Sequence, residues 1–244
     1  MKLILPLIIF LSMASVAVKA QSKFYVAAEA NFIQNLYLIS DEGDALGPPD
    51  FRTIDVPGTS LLVGYQLSPI FSLETGVATR PVKNGYSLTL SGSYQSDLFY
   101  QVPIRSRARI NILGDWLYVT GNMGIQLGVT DPGNVGVSMD SGVGLGGSSN
   151  NGQVIYSTET HYSSVGKYYT VAEGGAGFDF QINGRFKMYT NVSYVRGFSK
   201  LCQVDVTYQY ANEPEYKGSV VHEGSYLSFS YGLRYHFKSS KEQG

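Results

Sequence analysis

The chain has 244 residues, enough for one domain or one barrel, and a formal net charge of −1, too balanced to hold nucleic acid. One cysteine, Cys202, excludes an internal disulfide, so something other than cross-links must stabilise the fold. Nineteen tyrosines and 28 glycines suit short strands and tight turns better than helices.

The first twenty residues read as a secretory signal peptide. Met1-Lys2 supplies a positive start, residues 3–18 are almost wholly apolar, and Val18-Lys19-Ala20 ends in the small residue that a signal peptidase requires. Cleavage is expected before Gln21, and no cysteine stands there to carry a lipid. The mature segment, 21–244, then has sixteen basic residues against 19 acidic ones. It contains no apolar run long enough for a membrane helix.

Beyond the signal, period-two alternation recurs eight times, near 23–33, 58–67, 70–80, 97–110, 116–129, 167–182, 185–197 and 225–237. In the first segment Phe24, Val26, Ala28, Ala30 and Phe32 alternate with Tyr25, Ala27, Glu29 and Asn31. In the fifth, Leu117, Val119, Met123, Ile125 and Leu127 share one face and Tyr118, Thr120, Asn122 and Gln126 the other. Each segment has about the ten residues that a tilted strand needs to cross a bilayer. The connections alternate as well. Leu67-Ser68-Pro69, Asn111 to Asp115, and Asn183-Gly184 are short; 34–57, 81–96, 130–166 and 198–224 are long. Short turns on one side and long loops on the other describe an all-β fold, an eight-stranded antiparallel up-and-down transmembrane β-barrel. Both termini then lie in the periplasm and the long loops outside the cell.

The apolar faces carry almost no charge, whereas the polar faces hold Glu29, Glu74, Arg80, Arg105, Arg107, Arg109, Glu173, Asp179, Arg185, Lys187 and Arg234. Charges facing lipid cost roughly 2–4 kcal/mol each at the midplane, so the apolar face belongs outside. Phe71, Phe178, Phe180, Phe186, Tyr235 and Phe237 then gather at the periplasmic rim, where aromatic rings favour the boundary with water. Eight strands enclose only enough space for side chains. Glu29, Glu74, Arg105, Arg107, Arg109, Glu173, Asp179, Lys187 and Arg234 are therefore expected to pair into an ionic plug, since a buried charge without a partner is costly. Anion binding by the three arginines of the fourth strand is the other reading. Pro103 removes a ladder donor and is expected to mark a bulge.

Phe99-Tyr100-Gln101-Val102-Pro103-Ile104-Arg105, followed after a turn by Trp116 to Gly124, resembles the outer-membrane β-barrel domain common in Bacteroidetes, including PorT-like proteins. The closing Tyr231-Gly232-Leu233-Arg234-Tyr235-His236-Phe237 resembles the same family's last strand, although Lys238 to Gly244 follow it. The resemblance implies an outer-membrane location and a small closed barrel. It carries no activity onto any residue.

The remaining motifs have plain explanations. Gly142 to Gly147 lacks the strand–turn–helix setting of a phosphate loop and reads as outer loop. Asp41, Glu42, Asp44 and Asp50 lack the spacing of a calcium loop. The three histidines show no metal-ligand spacing. His222 near Ser225 could pair as base and nucleophile, but no orienting third group accompanies them. Val204, Val206, Tyr208 and Tyr210, then 216–222, read as a hairpin that continues the last two strands outward, its edge open to a partner's strand. The functional expectation is a monomeric structural or surface-interaction barrel without cofactor or metal. It would be embedded in outer-membrane lipid and meet an extracellular protein or glycan through 130–166 and 198–224. A porin-like narrow pore and an outer-membrane lipid-modifying enzyme are the alternatives.

Overall fold

Alternating side chains and tight turns close the chain into a ring. The structure is a computed structural model that describes residues 23–49, 57–88, 92–114, 116–130, 138–142, 156–164, 167–210 and 214–237. The signal segment and the glycine run from 143 lie outside the described residues. Eight of the strands form a closed antiparallel barrel: β1 (Phe24–Asn35), β3 (Gly58–Gln66), β4 (Phe71–Ser87), β5 (Gly92–Leu113), β6 (Leu117–Val129), β9 (Tyr168–Gln181), β10 (Phe186–Gly197) and β13 (Tyr226–His236). Each pairs with the next barrel strand along the chain, and β1 closes the ring against β13 from Tyr25↔His236 to Asn35↔Tyr226. This is the expected meander, with bounds close to those expected for six of the eight strands.

The packing is inside out relative to a water-soluble barrel. Ile104, Met123, Val192 and Leu233 are exposed on the outer face, while Glu74, Arg105, Asp179 and Arg234 are buried within. On the side of the short turns, Phe24–Tyr65, Trp116–Phe180 and Phe186–Tyr235 rings lie 4.8, 6.4 and 5.0 Å apart. At the opposite rim Phe32 stacks on Tyr231, and Tyr100, Tyr168 and Tyr194 are exposed. No charged side chain faces outward between these two girdles among the described residues. An apolar belt bounded by aromatic rings is the pattern of a barrel surrounded by lipid.

Two expectations about β4 and β5 are corrected. The expected loop at 81–96 is largely strand, because β4 runs to Ser87 and β5 returns from Gly92. Val82, Tyr86 and Leu88 are buried against other parts of the outer region, and that burial supports strand beyond the belt. Pro103 makes no bulge either. It stays in register opposite Gln126, and β4–β5 pairing simply lapses between Thr75↔Ile104 and Ala78↔Gln101, then resumes unshifted. A missing N–H removes a bond without adding a residue. The register shift lies at Asn111/Leu113, next to Gly114, whose φ of 54° turns the chain.

The largest departure is outside the belt. Strands β2 (Leu38–Asp41), β7 (Ser138–Gly142), β8 (Tyr156–Ser164), β11 (Cys202–Tyr210) and β12 (Tyr216–His222) form a second sheet in the order β2-β12-β11-β8-β7. The expected hairpin of the last long connection exists as β11–β12, with Cys202 opposite His222. It does not present a free edge: β8 covers β11, and β2 covers β12. Three of the four long connections thus condense into one sheet. Its inner face packs Val204, Val206, Tyr208 and Val220 against Tyr86 and Leu88 of the β4–β5 hairpin and Leu46 of the first connection.

Candidate functional site: the closed lumen and its cover

Inward parity and register bring the charges together. Glu74 stands opposite Arg105 across β4–β5, and Lys187 opposite Arg234 across β10–β13. Arg105 is the hub: it reaches Glu29 at 2.7 Å, Glu74 at 2.9 Å and Glu173 at 3.4 Å. Arg234 links Glu74 (3.1 Å) to Asp179 (2.8 Å), and Arg107 meets Asp179 at 2.6 Å. Four carboxylates and three guanidinium groups from five strands form one connected network.

Polar neighbours complete it. Tyr25 donates to Glu74 at 2.8 Å and Tyr189 to Glu29 at 3.0 Å. Glu173 accepts from Asn122, Gln126 and Ser193 at 2.7–3.0 Å. Tyr25, Asn122 and Gln126 lie on polar faces legible in the sequence, whereas nothing there singles out Tyr189 or Ser193 beyond the inward parity they share with Lys187. Glycine supplies the room, since a Cβ at Gly64 would collide with the Tyr25 ring and one at Gly128 with Tyr169.

Four expected interior charges stand apart: Arg80, which lies higher in the barrel, and Lys187, Arg109 and Arg185. Lys187 is buried at 5% exposure, with its Nζ 5.7 Å from the centre of the Tyr118 ring and no carboxylate of the described residues within ion-pair distance. Arg109 is half-buried at the mouth, where its Nε donates to the Pro69 carbonyl at 2.8 Å. Arg185 is exposed, which corrects its placement inside. Asn183 Oδ1 accepts the Arg185 and Phe186 N–H groups at 2.9 Å, and this side-chain cap holds Arg185 in the turn, ahead of the strand.

Above the plug lies a cavity of about 30 Å3, lined by Glu29, Gln101, Arg105, Gln126, Glu173 and Tyr226 among others. It has room for a water or two. Higher still, Val82, Phe99, Tyr169, Val171, Val195, Leu201, Cys202 and Tyr226 form an apolar lid. Within it Arg80, 0% exposed, lies 3.9 Å over the Tyr226 ring and donates through Nη2 to Asn35 Oδ1 and His222 Nε2, each at 3.0 Å. An arginine has only donors, so His222 Nε2 accepts and its Nδ1–H donates to the Leu36 carbonyl at 3.0 Å. Arg80 and His222 therefore tie barrel strand β4 to outer strand β12.

That tie disposes of the His222–Ser225 pairing. Both imidazole nitrogens are engaged, and Ser225 Oγ accepts the Gly197 N–H at 3.1 Å. It also makes the cover sensitive to acid. Burial, and then the Arg80 charge, push the His222 imidazole down from its ordinary 6.5 to about 3, against a smaller opposing pull from the Leu36 carbonyl. A folded-state value below the unfolded one means that the unfolded chain binds the proton first as pH falls. Stability from the neutral imidazole is complete above about 6.5 and is lost progressively toward about 3. Hydrogen exchange of 216–222, referenced to intrinsic rates, is expected to quicken at pH 5 relative to pH 7.5. A His222→Asn variant should flatten that dependence. Equal dependence in both proteins would remove His222 as its source.

In the first connection, Asp41 accepts from the Gly43, Ala45 and Leu46 N–H groups at 3.2, 2.7 and 2.7 Å and from Tyr208 Oη at 2.8 Å. Partial burial raises its carboxyl pKa, but these donors outweigh that effect and hold it below the usual range. The carboxylate is committed to folding the segment, while Asp50 lies outside the described residues.

The chain is similar to several solved outer-membrane structures at low identity. The N-terminal β-barrel domain of Pseudomonas aeruginosa OprF shares 10% identity over 89% of this chain and 100% of that one, with a TM-score of 0.43. The outer membrane protein OprG from the same organism shares 11% over 90% and 97%, with a TM-score of 0.49. Ail, the attachment invasion locus protein of Yersinia pestis, shares 13% over 88% and 100%, with a TM-score of 0.34. No family model matches the chain, and no curated protein matches it.

Proposed function

We propose that this chain is an outer-membrane barrel protein of the Bacteroidetes type that its β5–β6 hairpin resembles, and that it acts in recognition at the cell surface. The observation that carries this reading is the second sheet: three long connections condense into an ordered structure beyond the lipid belt, above a lumen filled by ion pairs. Holding loops in one sheet lowers the ordering cost of binding. Apart from the buried Val221, the outward positions of β11 and β12 are polar, with Gln203, Asp205, Thr207, Lys217 and Ser219 suited to a protein or glycan partner. The signal peptide delivers the chain, both termini face the periplasm, and a closed ring without free edges acts as a monomer. The reading assigns no catalytic residue and no cofactor.

Replacing 130–166 by a four-residue turn is expected to keep the boiling-dependent gel shift of a folded barrel and to abolish adhesion of cells displaying it. Unchanged adhesion would overturn the recognition role. The closed lumen also predicts silence in planar bilayers, whereas stepwise conductance would restore the pore.

A further inference from the structure

The turn-side mouth of the barrel holds a second, smaller cavity of about 10 Å3, distinct from the one above the plug. Its walls include Tyr25, Arg107, Arg109, Asp179, Arg234 and His236. Its charge does not balance. Three guanidinium groups line it against one carboxylate; Glu74, outside the lining, also meets Arg234 at 3.1 Å, and Lys187 is paired by register with Arg234. Asp179 is already spent: one oxygen takes Arg107 at 2.6 Å and the other Arg234 at 2.8 Å.

The hydrogen bonds do not balance either. Arg107 and Arg234 are each 3% exposed, yet the Nε of both is buried without a partner, as is His236 Nε2. Arg109 uses its Nε on Pro69, leaving its terminal nitrogens for the cavity. Ser68 Oγ accepts from the Ile70 and Phe71 N–H groups, so its own hydroxyl is left to donate. Buried arginine donors without partners thus meet a cation-rich cavity whose one carboxylate is already engaged, beside the Gln66 and Ser72 side chains.

Size decides among the acceptors that could fill it. About 10 Å3 takes one water-sized particle. A compact acceptor fits so small a space better than a phosphate, sulfate or carboxylate group does. A water fits but leaves the charge uncompensated, which is expensive away from bulk solvent. We propose that this cavity is a binding site for one monatomic anion of chloride size, entering from the turn side and held by Arg107, Arg109 and Arg234. The inference rests on the barrel interior and is independent of the recognition role proposed for the outer sheet.

The test uses bromide as an anomalous stand-in. Crystals of the detergent-folded protein soaked in sodium bromide should give a bromine peak between Arg107, Arg109 and Arg234. In solution, replacing gluconate by chloride at constant ionic strength should raise the unfolding midpoint by about 2–4 °C, since an ion bound only by the folded state stabilises it. An Arg109→Gln variant should lose that rise while retaining the gel shift of a folded barrel. A water in place of the bromine peak would overturn the site. So would a midpoint indifferent to the exchange, or a full rise surviving in Arg109→Gln. Bromide is measured on the unaltered chain, so a variant that fails to fold leaves the proposal decidable. Loss of surface recognition with bromide still bound would separate the two proposals.

Discussion

Replacing Arg105 with methionine is expected to cost about 3–5 kcal/mol of barrel stability, the range seen when one partner of a buried ion pair is removed. Arg105 contacts Glu29, Glu74 and Glu173 within 3.4 Å, so its loss leaves three carboxylates short of a cation. Their remaining donors do not replace it equally. Glu173 keeps Asn122, Gln126 and Ser193, and Glu74 keeps Arg234, whereas Glu29 keeps the Tyr189 hydroxyl. Adding Glu29→Gln to the variant should therefore recover part of the loss. Arg105→Lys should recover less than half, because one ammonium cannot reproduce a planar fork reaching three acids. Urea unfolding in micelles, followed by the fluorescence of the single tryptophan, Trp116, reads these differences. A cost under about 1 kcal/mol for Arg105→Met would mean that the network is solvated as exposed pairs are. The closed lumen would then be wrong.

Met123→Lys tests the other face. Met123 is 68% exposed, midway along β6, opposite Ser106 and Gly174. In lipid a lysine at that depth should cost roughly 2–4 kcal/mol, and the same residue near the boundary, as Tyr194→Lys, about 0–1 kcal/mol. In water both substitutions would be nearly neutral, and Met123→Lys would improve solubility. Folding into lipid vesicles at matched urea separates these outcomes. Equal, small costs at both positions would mean that lipid does not cover the apolar belt.

Some features were legible from local pattern because their physics is local. Period-two alternation places Glu74 and Arg105 on the same side of their strands wherever those strands go. Short turns such as 67–70 force neighbours to be antiparallel. A charge-free outer face follows from the solvent that it must meet. The inward side of Glu29, Glu74, Arg105, Arg107, Glu173, Asp179 and Arg234 was therefore readable, whereas Arg109 sits at the mouth, Lys187 stands apart from the network, and a cap made by Asn183 keeps Arg185 in the turn.

Pairing within the plug was not readable, because it depends on the relative heights of strands far apart in the chain. Arg105 meets Glu29 across 76 residues and Glu173 across 68, separations that alternation alone does not rank. The long connections were harder still. Residues 38–41, 138–142, 156–164 and 202–222 each look like loop or isolated hairpin, since none has an apolar face wide enough to stand alone. They become a sheet only when Val204, Val206 and Tyr208 find Tyr86, Leu88 and Leu46 to cover them. Sequence by itself determined the number of barrel strands, their faces and the ionic character of the interior, because alternation and solvent act residue by residue. The outer sheet, the Arg80–His222 tie and the cation-rich mouth were decided by tertiary structure, because each joins strands whose proximity exists only once the ring has closed.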